Sequence, residues 1–128
     1  MAHFQVNFHL YAENLDRAIS FYSEFFKFKL LGHIEGKEGE PWAALRAENA
    51  IIWLGKEGTS AGLILLIDKN IEQFVDQLAE NGVTFFLPEN LQIEFSENTK
   101  ILPTDWGKHA WFIDSERNVV MLFQPGEE

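Results

Sequence analysis

The stretch NLDRAISFYSEFFKFKLLG, residues 14–32, decides the fold of the first half of the chain. Asn14 is a favoured helix N-cap residue, and apolar side chains recur at three- and four-residue spacing from there to Phe26. This pattern predicts an amphipathic helix over residues 15–26, followed at once by a strand over residues 27–34.

The stretch before this helix alternates between apolar and polar residues. Phe8 and Leu10 fall on one face of residues 4–12, while Asn7 and His9 fall on the other. Successive side chains of a strand point to opposite faces, so this alternation predicts a strand that is buried on one side only.

The same order of elements is then repeated. Two further strands are predicted over residues 42–47 and 50–54. The second half of the chain is predicted to contain strands at 62–68, 83–87, 108–113 and 118–124, a helix at 71–81, a further short strand at 91–95 and an irregular stretch at 96–105. The prediction is an α+β fold of two tandem β-α-β-β-β modules, about 1–57 and 58–128, in one domain.

Composition excludes several classes of protein. The chain has 128 residues, a net charge of −10 and no cysteine. Without cysteine there are no disulfides, thiolate metal sites or cysteine nucleophiles. An acidic chain lacks the clustered Lys and Arg that nucleic acid requires, and no apolar run approaches the ~20 residues that cross a bilayer. We therefore expect a cytoplasmic protein that binds neither nucleic acid nor membrane.

Three stretches resemble the vicinal oxygen chelate superfamily, which contains glyoxalases, extradiol dioxygenases, fosfomycin-resistance enzymes and bleomycin-resistance proteins. They are residues 14–32 with the strand before them, ILLIDKNIEQFVDQLAENGV at 64–83, and DWGKHAWFIDSERNVVMLFQ at 105–124. In the closing hairpin, Ser115, Glu116 and Arg117 stand where the family usually has Pro, Asp and Gly. The resemblance implies that each module forms a curled mixed sheet, a half-barrel with its helix on the outside, and that the two half-barrels enclose one cavity.

The resemblance also implies where a metal would be held in the catalytic members. The four family ligand positions correspond to Asn7, Trp53, Gly62 and Met121 in this chain. Glycine has no side chain, tryptophan only donates, methionine sulfur suits hard cations poorly, and asparagine offers one neutral oxygen. We therefore predict no metal and no other cofactor.

The implied cavity has an aromatic and apolar lining with a few polar groups. If every strand alternates as the first does, the inward residues are Asn7, His9, Tyr11, Ile51, Trp53, Ile64, Leu66, His109, Trp111, Met121 and Phe123. Among them, the predicted ligand-binding residues are Asn7, His9, Tyr11, Ile51, Trp53, His109, Trp111 and Met121. Such a lining is typical of a site for a flat organic molecule, although the same side chains could simply fill the barrel.

The function that these features favour is metal-independent binding of a small hydrophobic or aromatic molecule. The negative charge and the tryptophan faces favour a cationic ligand, and the resemblance to bleomycin-resistance proteins implies a homodimer. No catalytic residue is predicted. The alternative is a metal-dependent lyase or dioxygenase with an atypical site around His9 and His109. A degenerate barrel that serves as an interaction module is a third possibility.

Overall fold

The computed structural model describes residues 7–35, 41–56, 62–88 and 100–126. In order, the elements are β1 (Asn7–Tyr11), α1 (Leu15–Phe26), β2 (Lys29–Glu35), β3 (Pro41–Ala47), β4 (Ala50–Gly55), β5 (Leu63–Leu66), α2 (Ile71–Glu80), β6 (Thr84–Phe86), β7 (Leu102–Thr104), β8 (Gly107–Ile113) and β9 (Val119–Pro125). They form two compact units. The first unit is Met1–Ala61 with Ser115–Asn118, and the second is Gly62–Asp114 with Val119–Glu128.

The first unit is a four-stranded sheet covered on one face by α1. The strand order is β1-β4-β3-β2, in which β1 runs parallel to β4 and the other neighbours are antiparallel. Burying alternate apolar side chains against the amphipathic helix drives this packing. The buried core of the unit includes Leu10, Ala18, Phe21, Tyr22, Ala43, Leu45, Ile52 and Leu54.

The beginning of α1 is held by the turn at residues 115–118. The N-cap Asn14 accepts a hydrogen bond from the backbone N–H of Arg17 at 3.0 Å. The Glu116 carboxylate accepts from the backbone N–H of Asn14 at 2.7 Å and from Arg17 Nε and Nη2 at 2.7 and 3.1 Å. Asn118 Nδ2 donates to the carbonyl of Tyr11 at 2.8 Å. The turn that departs from the family pattern therefore supplies hydrogen-bond partners to the polar groups around the N-terminus of α1.

The second unit repeats the arrangement with one more strand. Its sheet has the order β5-β9-β8-β6, and β7 pairs with β8. The buried side chains of α2 and its sheet include Leu63, Ile71, Val75, Leu78, Ala110, Phe112, Val120 and Leu122. Asn70 makes no side-chain cap for α2, and the Gln124 side chain accepts from the backbone N–H of Ile71 at 2.9 Å instead.

The predicted fold class is confirmed, and both helices begin where the sequence places them. The stretch at 96–105 was expected to be irregular, but the prediction is wrong for Leu102–Thr104, which is β7. Three residues that include Pro103 are too short to show an alternating pattern, and proline is confined to edge strands. The strand predicted at 91–95 lies outside the described residues.

Neither helix in the described part of the chain is long and apolar enough to cross a membrane.

Replacing Glu116 by glutamine is predicted to destabilise the protein by about 2 kcal/mol at pH 7, because a side chain with no exposed surface loses its charged hydrogen bonds to Arg17. Burial acts to raise the pKa of Glu116, but the hydrogen bonds from Arg17 and the Asn14 N–H outweigh it, so the net pKa is lowered. The stability that this carboxylate contributes is therefore present above its unfolded pKa of about 4.3 and is lost as the pH falls through the lower folded pKa.

Urea unfolding of wild type and Glu116→Gln at pH 7 and at successively lower pH measures this difference. The gap between the two proteins should narrow as the acid is protonated. Glu80→Gln, which removes an exposed carboxylate from α2, is the matched control and should change stability by less than about 0.5 kcal/mol. Equal effects of the two substitutions at pH 7 would contradict the role assigned to Glu116.

Candidate functional site

The face of the first sheet that α1 does not cover is called here the first open face. Strand register brings its side chains into rows across the sheet. Asn7 pairs with Ile51, and Ile51 pairs with Arg46. One row further along, His9 pairs with Trp53, Trp53 with Ala44, and Ala44 with Gly32. Four of the predicted ligand-binding residues therefore share this face, namely Asn7, His9, Ile51 and Trp53.

The indole of Trp53 has a defined direction. Its Nε1–H donates to Oδ1 of Asn7 at 3.1 Å, so the ring leans toward β1. On the other side of Trp53, the row continues with Ala44 and Gly32, and a Cβ built on Gly32 would meet no atom of the described residues within 4 Å. The half-buried indole therefore has small residues beside it in its row.

A second aromatic group on this face was missed from the sequence. The Trp42 ring lies 4.7 Å from the His9 ring, centroid to centroid, at an interplanar angle of 40°. It also covers Gly55, because a Cβ added there would lie 2.7 Å from Trp42 Cδ2. The alternation of β3 puts Trp42 and Ala44 on the same face, and that pattern was the signal that could have identified it.

Tyr11 lies at the end of the same strand, but its hydroxyl is engaged by an acid. It donates to the Glu13 carboxylate, and this hydrogen bond raises the pKa of Tyr11. Lys56 Nζ lies 3.9 Å from the other oxygen of the same carboxylate. Tyr11 therefore stays protonated and uncharged at neutral pH.

The second unit has its own face opposite α2, called here the second open face. Register brings together Ile64, Met121 and Trp111 in one row and Leu66, Phe123 and His109 in the next. The His109 ring stacks on Trp111 at 5.7 Å with an interplanar angle of 11°, and lies 4.7 Å from Phe123. The remaining predicted ligand-binding residues, His109, Trp111 and Met121, therefore lie next to one another.

His109 is held by neighbours of its own unit. Its Nε2 is 3.0 Å from Thr104 Oγ1 and its Nδ1 is 3.4 Å from Met121 Sδ. Burial lowers the pKa of His109, so the imidazole is neutral at pH 7. A neutral ring with both nitrogens engaged serves as an aromatic surface.

Trp106, on the turn between β7 and β8, is a further aromatic residue that was absent from the predicted site. Its side chain is 80% exposed. The backbone around it is fixed, because the Trp106 N–H donates to Thr104 Oγ1 and its carbonyl accepts from the Gly126 N–H at 2.7 Å. The WG pair in the closing motif was the available signal.

The four positions implied for a metal do not form a metal site. In the first unit, Asn7 and Trp53 are hydrogen-bonded to each other. In the second unit, Gly62 precedes β5 without a side chain, and Met121 contacts His109. Among the described residues, no three His, Cys, Asp or Glu side chains are grouped so that they could hold a metal ion. These residues therefore do not fit the metal that catalytic members of the family hold.

No family model matches the sequence, and no curated protein is similar to it. Solved structures are similar over the whole chain. TnmS3, an antibiotic-binding protein from Streptomyces sp. CB03234, is 27% identical, with 98% of this chain and 99% of that one covered and a TM-score of 0.73. A glyoxalase/bleomycin resistance protein from the same source is 24% identical, with 94% and 100% covered and a TM-score of 0.64.

FosX, a fosfomycin resistance protein from Listeria monocytogenes solved with Mn(II) and sulfate, is 13% identical, with 98% of this chain and 94% of that one covered and a TM-score of 0.67. Similar structures thus include both an antibiotic-binding protein and a metal-containing one. The structures whose names place them in the glyoxalase/bleomycin resistance/dioxygenase superfamily are under 25% identical to this chain, and they show that it has the same fold.

Substituting Gly55 by alanine is predicted to destabilise the protein by about 1–3 kcal/mol, because the new methyl group overlaps the Trp42 ring and forces it away from His9. Urea unfolding measures the loss, and near-UV circular dichroism reports the altered tryptophan environment. Gly62→Ala is the matched control, since a Cβ there meets no atom of the described residues within 4 Å, and it should change stability by less than about 0.5 kcal/mol. Unchanged near-UV spectra in both variants would contradict the predicted displacement of Trp42.

Proposed function

We propose that the protein binds a small hydrophobic or aromatic molecule on the first open face without a metal. One observation carries this proposal. The two residues at the metal positions of the first unit, Asn7 and Trp53, are bonded to each other, and the pair presents an oriented indole in place of metal ligands. An indole fixed by a hydrogen bond is a stacking surface that loses little conformational entropy when a ligand binds.

The neighbours of Trp53 support an aromatic ligand. Trp42 and His9 supply two further rings on the same face, and the residues that continue the row beside Trp53, Ala44 and Gly32, are small. The full-length similarity to an antibiotic-binding protein is consistent with a bound organic molecule. We propose that His109, Trp111 and Met121 offer a comparable aromatic and apolar binding surface on the second open face.

Isothermal titration with a panel of polycyclic aromatic compounds, in buffer containing EDTA, tests this function. We expect at least one compound to bind with a micromolar dissociation constant. Trp53→Leu should weaken that binding about tenfold, which corresponds to about 1.4 kcal/mol and to the value of one aromatic stack. Phe25→Leu is the matched control, because Phe25 belongs to the helix on the other side of the sheet and contacts Phe21 there. If no compound binds, or if both variants behave alike, the proposal fails.

The alternative is a metal-dependent lyase or dioxygenase that uses His9 and His109. The structure of FosX with Mn(II) is the observation that favours keeping it. Elemental analysis of protein purified without chelators separates the two functions. Stoichiometric Mn, Fe, Ni or Zn that is lost in a His9→Ala variant would establish the alternative, and protein without bound metal whose ligand affinity is unchanged by EDTA would support metal-independent binding.

We also propose that two copies of the chain associate. On the edge strand β5, Ile64 is 59% exposed and Leu66 is 71% exposed. Adjacent exposed apolar side chains on a sheet edge are typical of interaction surfaces.

Sedimentation velocity is predicted to give a dimer for wild type and a monomer for Leu66→Lys, since a buried lysine opposes association. Gln73→Lys, which adds the same side chain to the exposed surface of α2, should stay dimeric. A monomeric wild type across micromolar concentrations would refute the association.

A further inference from the structure

Two cations face each other on the first open face. Lys29 of β2 and Arg46 of β3 are cross-strand partners in the antiparallel register, and both are exposed. Arg46 pairs on its other side with Ile51, and Ile51 pairs with Asn7. Paired residues of a sheet point to the same side, so both cations lie on the face that carries Trp53.

Neither cation forms an ion pair with an acid in the described part of the chain. The ion pairs within residues 7–35, 41–56, 62–88 and 100–126 link Arg17 to Glu116, Lys56 to Glu13 and Lys108 to Glu72, and none includes Lys29 or Arg46. Cross-strand partners have Cβ atoms about 5 Å apart, and like charges at that separation are destabilising. A cation pair without an acidic partner among the described residues is therefore a feature that an anion would stabilise, in a chain whose net charge is −10.

The pair has a defined position relative to the aromatic residues. Arg46 is two residues beyond Ala44 on β3, a rise of about 7 Å, and Ala44 is the cross-strand partner of Trp53. Trp53, Ala44 and Gly32 thus form one row across the first open face, and the two cations lie in the next row along β2 and β3.

We infer that Arg46 and Lys29 form an anion subsite, and that the ligand on the first open face is an aromatic acid whose ring stacks on Trp53 while its carboxylate lies between the two cations. The inference rests on the proposed binding function. The planar guanidinium of Arg46 matches a carboxylate with two parallel hydrogen bonds, and the Lys29 ammonium adds a point charge.

The sign of this subsite is opposite to that of the whole chain. The net charge alone favoured a cationic ligand, but at physiological salt the Debye length is about 8 Å, so distant surface carboxylates are screened while groups in contact are not. Glu48, the acid nearest to Arg46 along the chain, makes no ion pair with it. The local pair therefore determines which charge the first open face accepts.

Four naphthalene derivatives of matched size test the subsite by isothermal titration. They are the 2-carboxylate, the 2-phosphate, the neutral 2-methanol and the 2-methyl-trimethylammonium compound. Wild type should bind the carboxylate at least about tenfold more tightly than the neutral and ammonium compounds. This preference should fall when NaCl is raised from 50 to 300 mM, because an exposed ion pair is screened. Tighter binding of the phosphate than of the carboxylate would overturn the carboxylate assignment.

Substitutions that remove one positive charge each show which residue causes the preference for the carboxylate compound. Arg46→Gln should reduce the carboxylate preference to less than about threefold without changing the affinity for the neutral compound, and Lys29→Gln should reduce it partially. Lys69→Gln removes one exposed positive charge from the second unit and should leave the preference intact. All three sites are exposed, and thermal unfolding checks that each variant is folded.

The outcomes separate this inference from the proposed function. If none of the four compounds or the wider aromatic panel binds, the binding function itself fails. If the neutral and ammonium compounds bind as tightly as the carboxylate, and Trp53→Leu weakens all of them, the function stands and the anion subsite is refuted. A carboxylate preference that persists unchanged in Arg46→Gln would refute it as well.

Discussion

The structure of each unit depends on one constraint, which is that a helix covers only one face of its sheet. Every second strand residue must therefore be apolar, and the residues between them are released from packing. In the first unit the covered positions carry Leu10, Leu45, Ile52 and Leu54. The strand positions on the face that α1 does not cover need not be apolar, and they carry Asn7, Trp53 and Arg46. A unit with a regular apolar core can therefore hold varied side chains on the other face of its sheet.

The parts of the fold that follow from local chemistry were predictable. A capping asparagine and a three- and four-residue apolar period set the bounds of α1, and strict alternation identified β1. The site was less predictable, because it depends on which strands are neighbours. Asn7 and Trp53 are 46 positions apart, and their hydrogen bond exists only because β1 lies parallel to β4. The coverage of Gly55 by Trp42 depends in the same way on the pairing of β3 with β4.

The cation pair illustrates a stronger limit. Lys29 and Gly32 are an odd number of positions apart, so simple alternation places them on opposite faces. The register shifts between Leu30 and Gly32, and this irregularity puts both residues on the first open face. The sequence LLG at residues 30–32 gives no clear sign of a one-residue bulge. Without the bulge, Lys29 and Gly32 would lie on opposite faces of the sheet.

The turn at residues 115–118 has a consequence for how the chain is made. These four residues belong to the first unit although most of the first unit ends more than fifty positions earlier. The carboxylate of Glu116, which accepts from Arg17, and the amide of Asn118, which donates to the Tyr11 carbonyl, are translated about a hundred residues after their partners. The first unit is therefore completed only after residues 62–114 of the second unit have been synthesised, and until then the N-terminus of α1 lacks these hydrogen-bond partners.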